Sequence, residues 1–209
     1  MFKDRSDAAR QLAQRLIAYK GQNPLILAIP RGAAPMGAIL AKALQGQLDV
    51  VLVHKLCAPH HSEVAIGAID ESGRAWLAPH AAVMGASAAY VQAEEHKQLQ
   101  VLRERRRRYT AVHPPVSARD RQVIVVDDGL ATGATMMAAL TTLRQHHPAR
   151  LVCAVPVASE ETLDKIRPLA DEVVCLSVPP DFQAVGQFYQ QFPQVQDEEV
   201  VAILREGAS

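Results

Sequence analysis

The stretch "VIVVDDGLATGATMMAAL", Val123 to Leu140, runs from apolar residues into two adjacent carboxylates, then into small and hydroxylated residues, then into a helical pattern. An uninterrupted apolar run of this kind fits a strand covered on both faces, as in a parallel sheet flanked by helices. In such sheets ligands bind beyond the carboxyl ends of the strands, and Asp127 and Asp128 fall at such an end. A solvated loop with a helix-capping acid explains one Asp well and two poorly, and leaves "GLATGAT" unaccounted for. Gly129, Ala131, Thr132, Gly133, Ala134 and Thr135 keep the loop small, so backbone N–H groups can approach an anion closely. The helix that follows adds its dipole, and the two threonines add hydroxyl donors. The loop contains no Lys and no G-x-G-x-x-G, which separates it from the nucleoside triphosphatase and dinucleotide loops. A terminal monophosphate fits it better. Carboxylates repel phosphate and so need another partner. Ionised, they only accept hydrogen bonds, and a ribose diol offers two donors. Diol acceptors followed by phosphate donors in one loop make a ribose 5-phosphate site.

Around this stretch, short apolar runs alternate with helical patterns. "LILAIP" and "LDVVLVHKL" precede it, and "ARLVCAVPVA" and "DEVVCLSV" follow it. Between them lie "MGAILAKAL", with Gly46 near its end, and "SEETLDKIRPLA", with Ser159 as cap. Ala9, Leu12, Ala13, Leu16 and Ile17 recur at helical spacing and predict an amphipathic helix that Gly21 closes. This alternation predicts an α/β fold, a mostly parallel sheet flanked by helices. The segment from Ala58 to Ala86 departs from it, with two strand-like pieces around "ESG", and predicts a hairpin excursion. Ser87 then caps a long helix reaching about Tyr109, and "DEEVVAIL" forms a terminal one. With no internal repeat or linker, the expectation is a single domain over 1–209, with a hairpin insertion at about 58–86 and a C-terminal hood at about 178–209.

The 209 residues carry 22 Lys plus Arg and 22 Asp plus Glu, so the formal net charge is zero. That argues against a general nucleic-acid or membrane binder while allowing a local anion site. Three cysteines without regular spacing argue against a disulfide framework, and Cys153 and Cys175 sit in apolar runs as small hydrophobes. The first residues lack the apolar core of a signal peptide, and no run is long enough to span a bilayer. A cytoplasmic protein is expected.

The motif "VVDDGLATGAT" resembles the phosphoribosyl-pyrophosphate motif of type I phosphoribosyltransferases. Together with "FKDRSDAARQLAQRL", "LAIPRGAAPMGAILAKAL", "SEVAIGAI" and "DFQAVGQFYQQFPQVQDEEV", it makes nearly the whole chain similar to a bacterial and archaeal group of that family. The resemblance implies transfer of the 5-phosphoribosyl group of phosphoribosyl pyrophosphate to a nitrogen acceptor, a nucleobase-like ring in the first instance, with release of pyrophosphate. It implies Mg²⁺, with Asp127 and Asp128 as diol acceptors and indirect metal ligands, and a possible homodimer. "IPRGAAP" stands at the family's pyrophosphate loop, so Arg31 and Gly32 are expected against the diphosphate. The family more often has two glycines where this chain has Gly32-Ala33, and a methyl at Ala33 would narrow the approach. Lys55 at the end of "VHKL" is a second cation for the diphosphate, and Glu63 resembles a recurrent Glu of the family. The alternative is a non-catalytic regulator binding phosphoribosyl pyrophosphate or a nucleotide. A phosphatase or hydrolase lacks a nucleophile–base pair here.

Three other features are expected to be structural. His60-His61 and His146-His147 lack ligands at metal spacing and fit solvated loop and helix-end positions. Arg103 to Arg108 spread around a helix and fit a solvated, salt-bridged surface with Glu94, Glu95 and Glu104 rather than a nucleic-acid stripe. Phe182, Phe188, Tyr189 and Phe192 are four of nine aromatics, and suit either a local core or a hood over a planar base.

Overall fold

The computed structural model describes residues 1–59, 61–79, 81–111 and 114–207; the side chains of Ser62, Glu63 and Thr110 lie outside that description. The chain runs α1 (Arg5–Arg15), β1 (Leu25–Ala28), α2 (Ala34–Leu44), β2 (Gln47–Val50), β3 (Val53–Ala58), β4 (His61–Asp70) and β5 (Ala75–Leu77). It continues through α3 (Ala88–Thr110), β6 (Gln122–Val126), α4 (Ala134–Arg144), β7 (Arg150–Val157), α5 (Glu160–Ile166), β8 (Glu172–Ser177) and α6 (Asp197–Gly207). Five strands form a parallel sheet in the order β2-β1-β6-β7-β8. The expected α/β architecture, a mostly parallel sheet flanked by helices, is the one observed.

The central strand explains why. Val123, Ile124, Val125 and Val126 are all fully buried. Successive strand residues face opposite sides, so Ile124 and Val126 join a core with α1 and α2, while Val123 and Val125 join a second core with α4 and α5. A strand apolar at every position is stable only between two such layers. Helix starts follow side-chain chemistry: Ser87 Oγ accepts from the Tyr90 N–H at 3.2 Å, and Ser159 Oγ from the Thr162 N–H at 3.2 Å.

Several sequence expectations change. "LDVVLVHKL" is two strands: β2 ends at Val50, and the chain leaves the main sheet after Val51 and Leu52. β3 then pairs with β4, and β4 with β5, in a separate antiparallel sheet. The excursion thus begins at Val53 and has three strands. The crossing is hydrogen-bonded on both sides, Val51 N–H to Ala28 O at 3.0 Å and Glu71 N–H to Leu52 O at 3.3 Å. Ile17, expected on the buried face of α1, is 58% exposed because the α-helix tightens into a 3₁₀ turn at Ile17–Tyr19. Gln45, at φ 56°, takes the left-handed position closing α2, ahead of Gly46. Cys175 is half-buried, unlike Cys153.

The arginine run of α3 is not uniformly solvated. Arg106 is buried, and its Nη1 donates to Asp49 Oδ1 at 2.9 Å and its Nη2 to Val50 O at 3.0 Å. It also grips Glu71 through two short hydrogen bonds. His146, expected to be solvated, is half-buried with Nε2 2.6 Å from Asp70 Oδ2, and Arg74 Nη1 donates to Gln145 O. Burial works to raise the Asp70 carboxyl, but His146, Ser72 and the Arg74 N–H outweigh it and hold it below its ordinary value. The β4–β5 turn is therefore fastened to α3 and to the end of α4. His60 lies outside the described residues, and His61 and His147 are, respectively, exposed on β4 and in a loop.

Candidate functional site

β1 and β6 are parallel neighbours, but the chain leaves them in opposite directions: β1 leads through α2 to β2, and β6 through α4 to β7, α5 and β8. The crevice beyond their carboxyl ends is a topological switch point, where open parallel sheets bind ligands. The turn at Ile29–Ala33 and the loop at Asp127–Gly133 meet there, and the Ile29 N–H bonds Val126 O at 3.0 Å. The Pro30–Arg31 peptide is cis.

The two loops touch at Gly32 and Asp128. A Cβ on Gly32 would lie 2.2 Å from Asp128 Oδ2, so only glycine lets the turn come this close. Ala33 does not narrow that approach: its φ is −83° and its methyl is buried in the core beneath α2. Gly32→Ala should displace the Asp128 carboxylate, reducing affinity for a ribose phosphate ligand on the order of tenfold or more while the melting temperature changes little. Titration calorimetry beside a thermal melt reads both, and wild-type affinity in the variant would refute the contact.

Asp128 is held from a part of the chain that sequence reasoning missed. Arg5, at the start of α1, places Nη2 2.8 Å and Nε 2.9 Å from Asp128 Oδ2, and donates from Nη1 to Pro193 O at 2.6 Å. Its guanidinium lies 3.8 Å from the centre of the Phe192 ring. The Tyr189 hydroxyl donates to Asp128 O at 2.7 Å, and burial pushes that phenol up, so it stays a donor. Tyr189 packs on Phe192 and Phe2 at centroid distances of 4.8 and 5.4 Å. Phe182 and Phe188 stack at 5.3 Å. All four C-terminal aromatics thus belong to one local core, in which Tyr189 holds the Asp128 carbonyl and Phe192 backs the arginine that grips its carboxylate. A signal for Arg5 was available: residues 5, 8, 9, 12 and 13 share the buried face of α1, so an arginine sits on an apolar stripe.

Burial, then the adjacent Asp128 charge, pushes the Asp127 carboxyl well above its ordinary range. Burial also raises Asp128, against the opposing pull of Arg5. Two neighbouring carboxylates with one guanidinium between them are short of positive charge. That suits a hard divalent cation of the Mg²⁺ kind, which takes one or two protein carboxylates and completes its shell with water and substrate oxygens. Among the described residues no group of three or more His, Cys, Asp or Glu forms a self-contained metal site.

The small loop is supported from below. Leu130 N–H bonds Val157 O at 2.9 Å, and the Thr162 hydroxyl donates to Ala131 O at 2.7 Å. Gly133 caps α4 at φ 71°, with Thr162 Cγ2 2.7 Å from where its Cβ would be. Thr132 Oγ1 accepts weakly from the Ala134 N–H at 3.4 Å. The N–H groups of the first turn, including those of Ala134 and Thr135, have no partners within the helix and point toward the loop mouth.

The other sequence candidates divide. Lys55 lies within β3, opposite Ala68, and lines a cavity with Pro30 and Thr135. Arg31 is half-buried and directed elsewhere, with Nη1 4.0 Å from Asp197 Oδ2 at the start of α6. Glu63 belongs to β4 by its backbone, and its side chain lies outside the described residues.

The phosphoribosyl transferase domain family matches residues 2–193 of the chain. The chain belongs to the phosphoribosyl transferase family. Proteins of two Mycobacterium tuberculosis strains, provisionally named phosphoribosyl transferases, are 43% identical over 206 residues. The match covers 98% of this chain and 46% of theirs, so the chain spans about half the length of those relatives. The crystal structure of TT1426 from Thermus thermophilus superposes with a TM-score of 0.93 at 45% identity, covering 100% of this chain and 99% of that one. A Neisseria gonorrhoeae protein crystallised with bound ppGpp shares the fold, at a TM-score of 0.54 and 13% identity, with 100% of this chain and 99% of that one covered. Within the family fold, the acid pair and small loop occupy the strand–loop–helix junction described above. Among the described residues no helix is long and apolar enough to cross a membrane.

Proposed function

We propose that this family member transfers the 5-phosphoribosyl group of phosphoribosyl pyrophosphate to a nitrogen acceptor and releases pyrophosphate. The observation that carries the reading is the meeting of Gly32 with Asp128 at the switch point, which sets one anion-facing turn against a diol-accepting carboxylate beside a phosphate-sized loop. Asp127 and Asp128 accept the ribose hydroxyls. Gly129, Ala131, Thr132, Gly133, Ala134 and Thr135 hold the 5-phosphate through backbone N–H groups and hydroxyls. Gly32 and the cations near the turn face the diphosphate. Mg²⁺, when bound through Asp127 or Asp128 and ligand oxygens, supplies charge against the leaving diphosphate. The protein's own share is orientation of the ribose, neutralisation of the leaving group and exclusion of water. The antiparallel sheet is fastened at its β4–β5 turn, and its opposite end, toward Glu63, serves as the cover.

A regulator that reads nucleic acid would need a basic surface, and Arg103 to Arg108 is the densest run of arginine in the chain. Three of those arginines have partners within the chain: Arg106 is buried, Arg107 pairs with Glu104 at 2.5 Å, and Arg108 faces Asp197 at 3.8 Å. That favours the transferase reading. The acceptor is a small nitrogen compound, with nucleobases the first class to assay. The deciding assay supplies phosphoribosyl pyrophosphate, Mg²⁺ and a panel of purines, pyrimidines, pyridine carboxylates and amines, and follows pyrophosphate release. Release with one acceptor supports the transferase. Tight binding with no release across the panel supports the regulator.

A further inference from the structure

We infer that Arg5 is a positioning residue that sets the hydroxyl selectivity of the acid pair: by occupying one oxygen of Asp128 it leaves each carboxylate a single oxygen for a single ribose hydroxyl. This deepens the proposed function and rests on it for the identity of the ligand.

The two carboxylates have four oxygens, and the chain itself uses two of them. Asp127 Oδ1 accepts the Asp128 N–H at 2.9 Å. Asp128 Oδ2 accepts from Arg5 twice, from Nη2 at 2.8 Å and from Nε at 2.9 Å, and the Gly32 turn closes on the same oxygen. Among the described residues no other residue donates to Asp127 Oδ2 or Asp128 Oδ1. Ionised carboxyl oxygens only accept, and a vicinal diol brings two donors. The two open acceptors, one on each residue, match those two donors. Without Arg5 the two oxygens of Asp128 would compete for one hydroxyl, and the carboxylate would turn freely about its own bond.

The placement of Arg5 is itself fixed by both ends of the chain. Phe2 N–H bonds Phe188 O at 2.8 Å, Gln190 N–H bonds Phe2 O at 2.9 Å and Gln191 N–H bonds Lys3 O at 3.0 Å, so the first residues and the hood segment run as one strap. Asp4 Oδ1 accepts the Asp7 N–H at 2.8 Å and starts α1 at that strap. Arg5 Nη1 then donates to Pro193 O at 2.6 Å, with the guanidinium against the Phe192 ring. From the other side the Tyr189 hydroxyl holds Asp128 O at 2.7 Å. A guanidinium that is 9% exposed on an apolar helix face adds little net stability through its ion pair, because desolvation offsets the attraction. Its effect is on the orientation of the carboxylate that it grips.

The test titrates the full chain with ribose 5-phosphate and with its 2-deoxy and 3-deoxy analogues. The wild type should bind each analogue roughly tenfold or more weakly than ribose 5-phosphate, because each lacks one donor. Arg5→Met keeps an unbranched apolar side chain on α1 and removes the guanidinium. It should lose most of the preference against one analogue, whose missing hydroxyl is the partner of Asp128, and keep the preference against the other. Arg5→Lys, with one donor for Asp128 Oδ2, should retain part of what Arg5→Met loses. Phe192→Leu leaves the charge in place and loosens its seat, so it should shift the same preference by about two- to fivefold; these two variants decide the matter if Arg5→Met does not fold. Both preferences intact, both lost together, or an equal weakening of all three probes would overturn the inference and leave the proposed function standing. A wild type that binds the three probes alike, or binds none, would overturn the proposed function itself and this inference with it.

Discussion

Asp127→Asn should raise the melting temperature at pH 8 while weakening phosphoribosyl pyrophosphate binding about a hundredfold, the scale of losing charge-assisted hydrogen bonds to a ligand. The stability half follows from burial and from the Asp128 charge beside it, which push the Asp127 carboxyl well above 3.8 in the folded chain. The native state then holds that proton more tightly than the unfolded state does. Stability falls as pH rises from about 3.8 through the folded value, and the full cost is present above that folded value. Asparagine removes the charge and the slope with it. The melting temperature should therefore rise by about a few degrees, the scale of a single stabilising substitution in a chain of this size. At pH 5 the variant and the wild type should differ less than at pH 8. Thermal melts at both pH values, beside calorimetry at the higher one, measure the two halves. A variant less stable than wild type at pH 8 would refute the charge-crowding account. Such a trade, in which the site is destabilised by the groups it needs, is common at functional sites.

Arg106→Met should lower stability by about 3–5 kcal/mol, because it leaves carboxylates without their cation in the interior. Asp49 is almost fully buried, with its side chain 2% exposed, and Oδ2 already accepts the Val116 N–H at 2.9 Å. Burial alone would make the guanidinium easier to deprotonate, but Glu71 and Asp49 outweigh it, so the charge is permanent. Its loss also frees the β4–β5 turn from α3. The expected fall in melting temperature is roughly 6–20 °C. Adding Asp49→Asn should recover part of it, because the stranded charge is then gone and paired residues are not additive. A single variant that melts within a degree or two of wild type would show that the network contributes little.

The motif at Val123–Leu140 was legible because all its parts are local: a doubly covered strand, two acids at its end and a loop of small residues are contiguous in the chain. Alternating apolar runs sufficed for the sheet on similar grounds. The departure of β3 was not legible, since "DVVLVHKL" has no turn residue between Val50 and Val53, and only tertiary hydrogen bonds from Val51 and Leu52 divide it. Arg5 and Arg106 were missed for another reason. Each lies on the buried face of an amphipathic helix, but the partners Asp128 and Asp49 are 123 and 57 residues away. A pattern can mark such an arginine as misplaced among apolar neighbours without saying which carboxylate it meets. Arg31 shows the same limit: a loop resemblance pointed to it, and only the fold sets its guanidinium facing Asp197 at the start of α6.

The central claim is tested most directly by titrating the protein with phosphoribosyl pyrophosphate in a calorimeter, with and without Mg²⁺, beside the Asp128→Asn variant. The account predicts binding that strengthens with Mg²⁺ and weakens at least tenfold in the variant, with the variant still folded. No binding by the wild type, or equal binding by wild type and variant, would mean that the acid pair and small loop hold some other phosphate, and the proposed transfer would be contradicted.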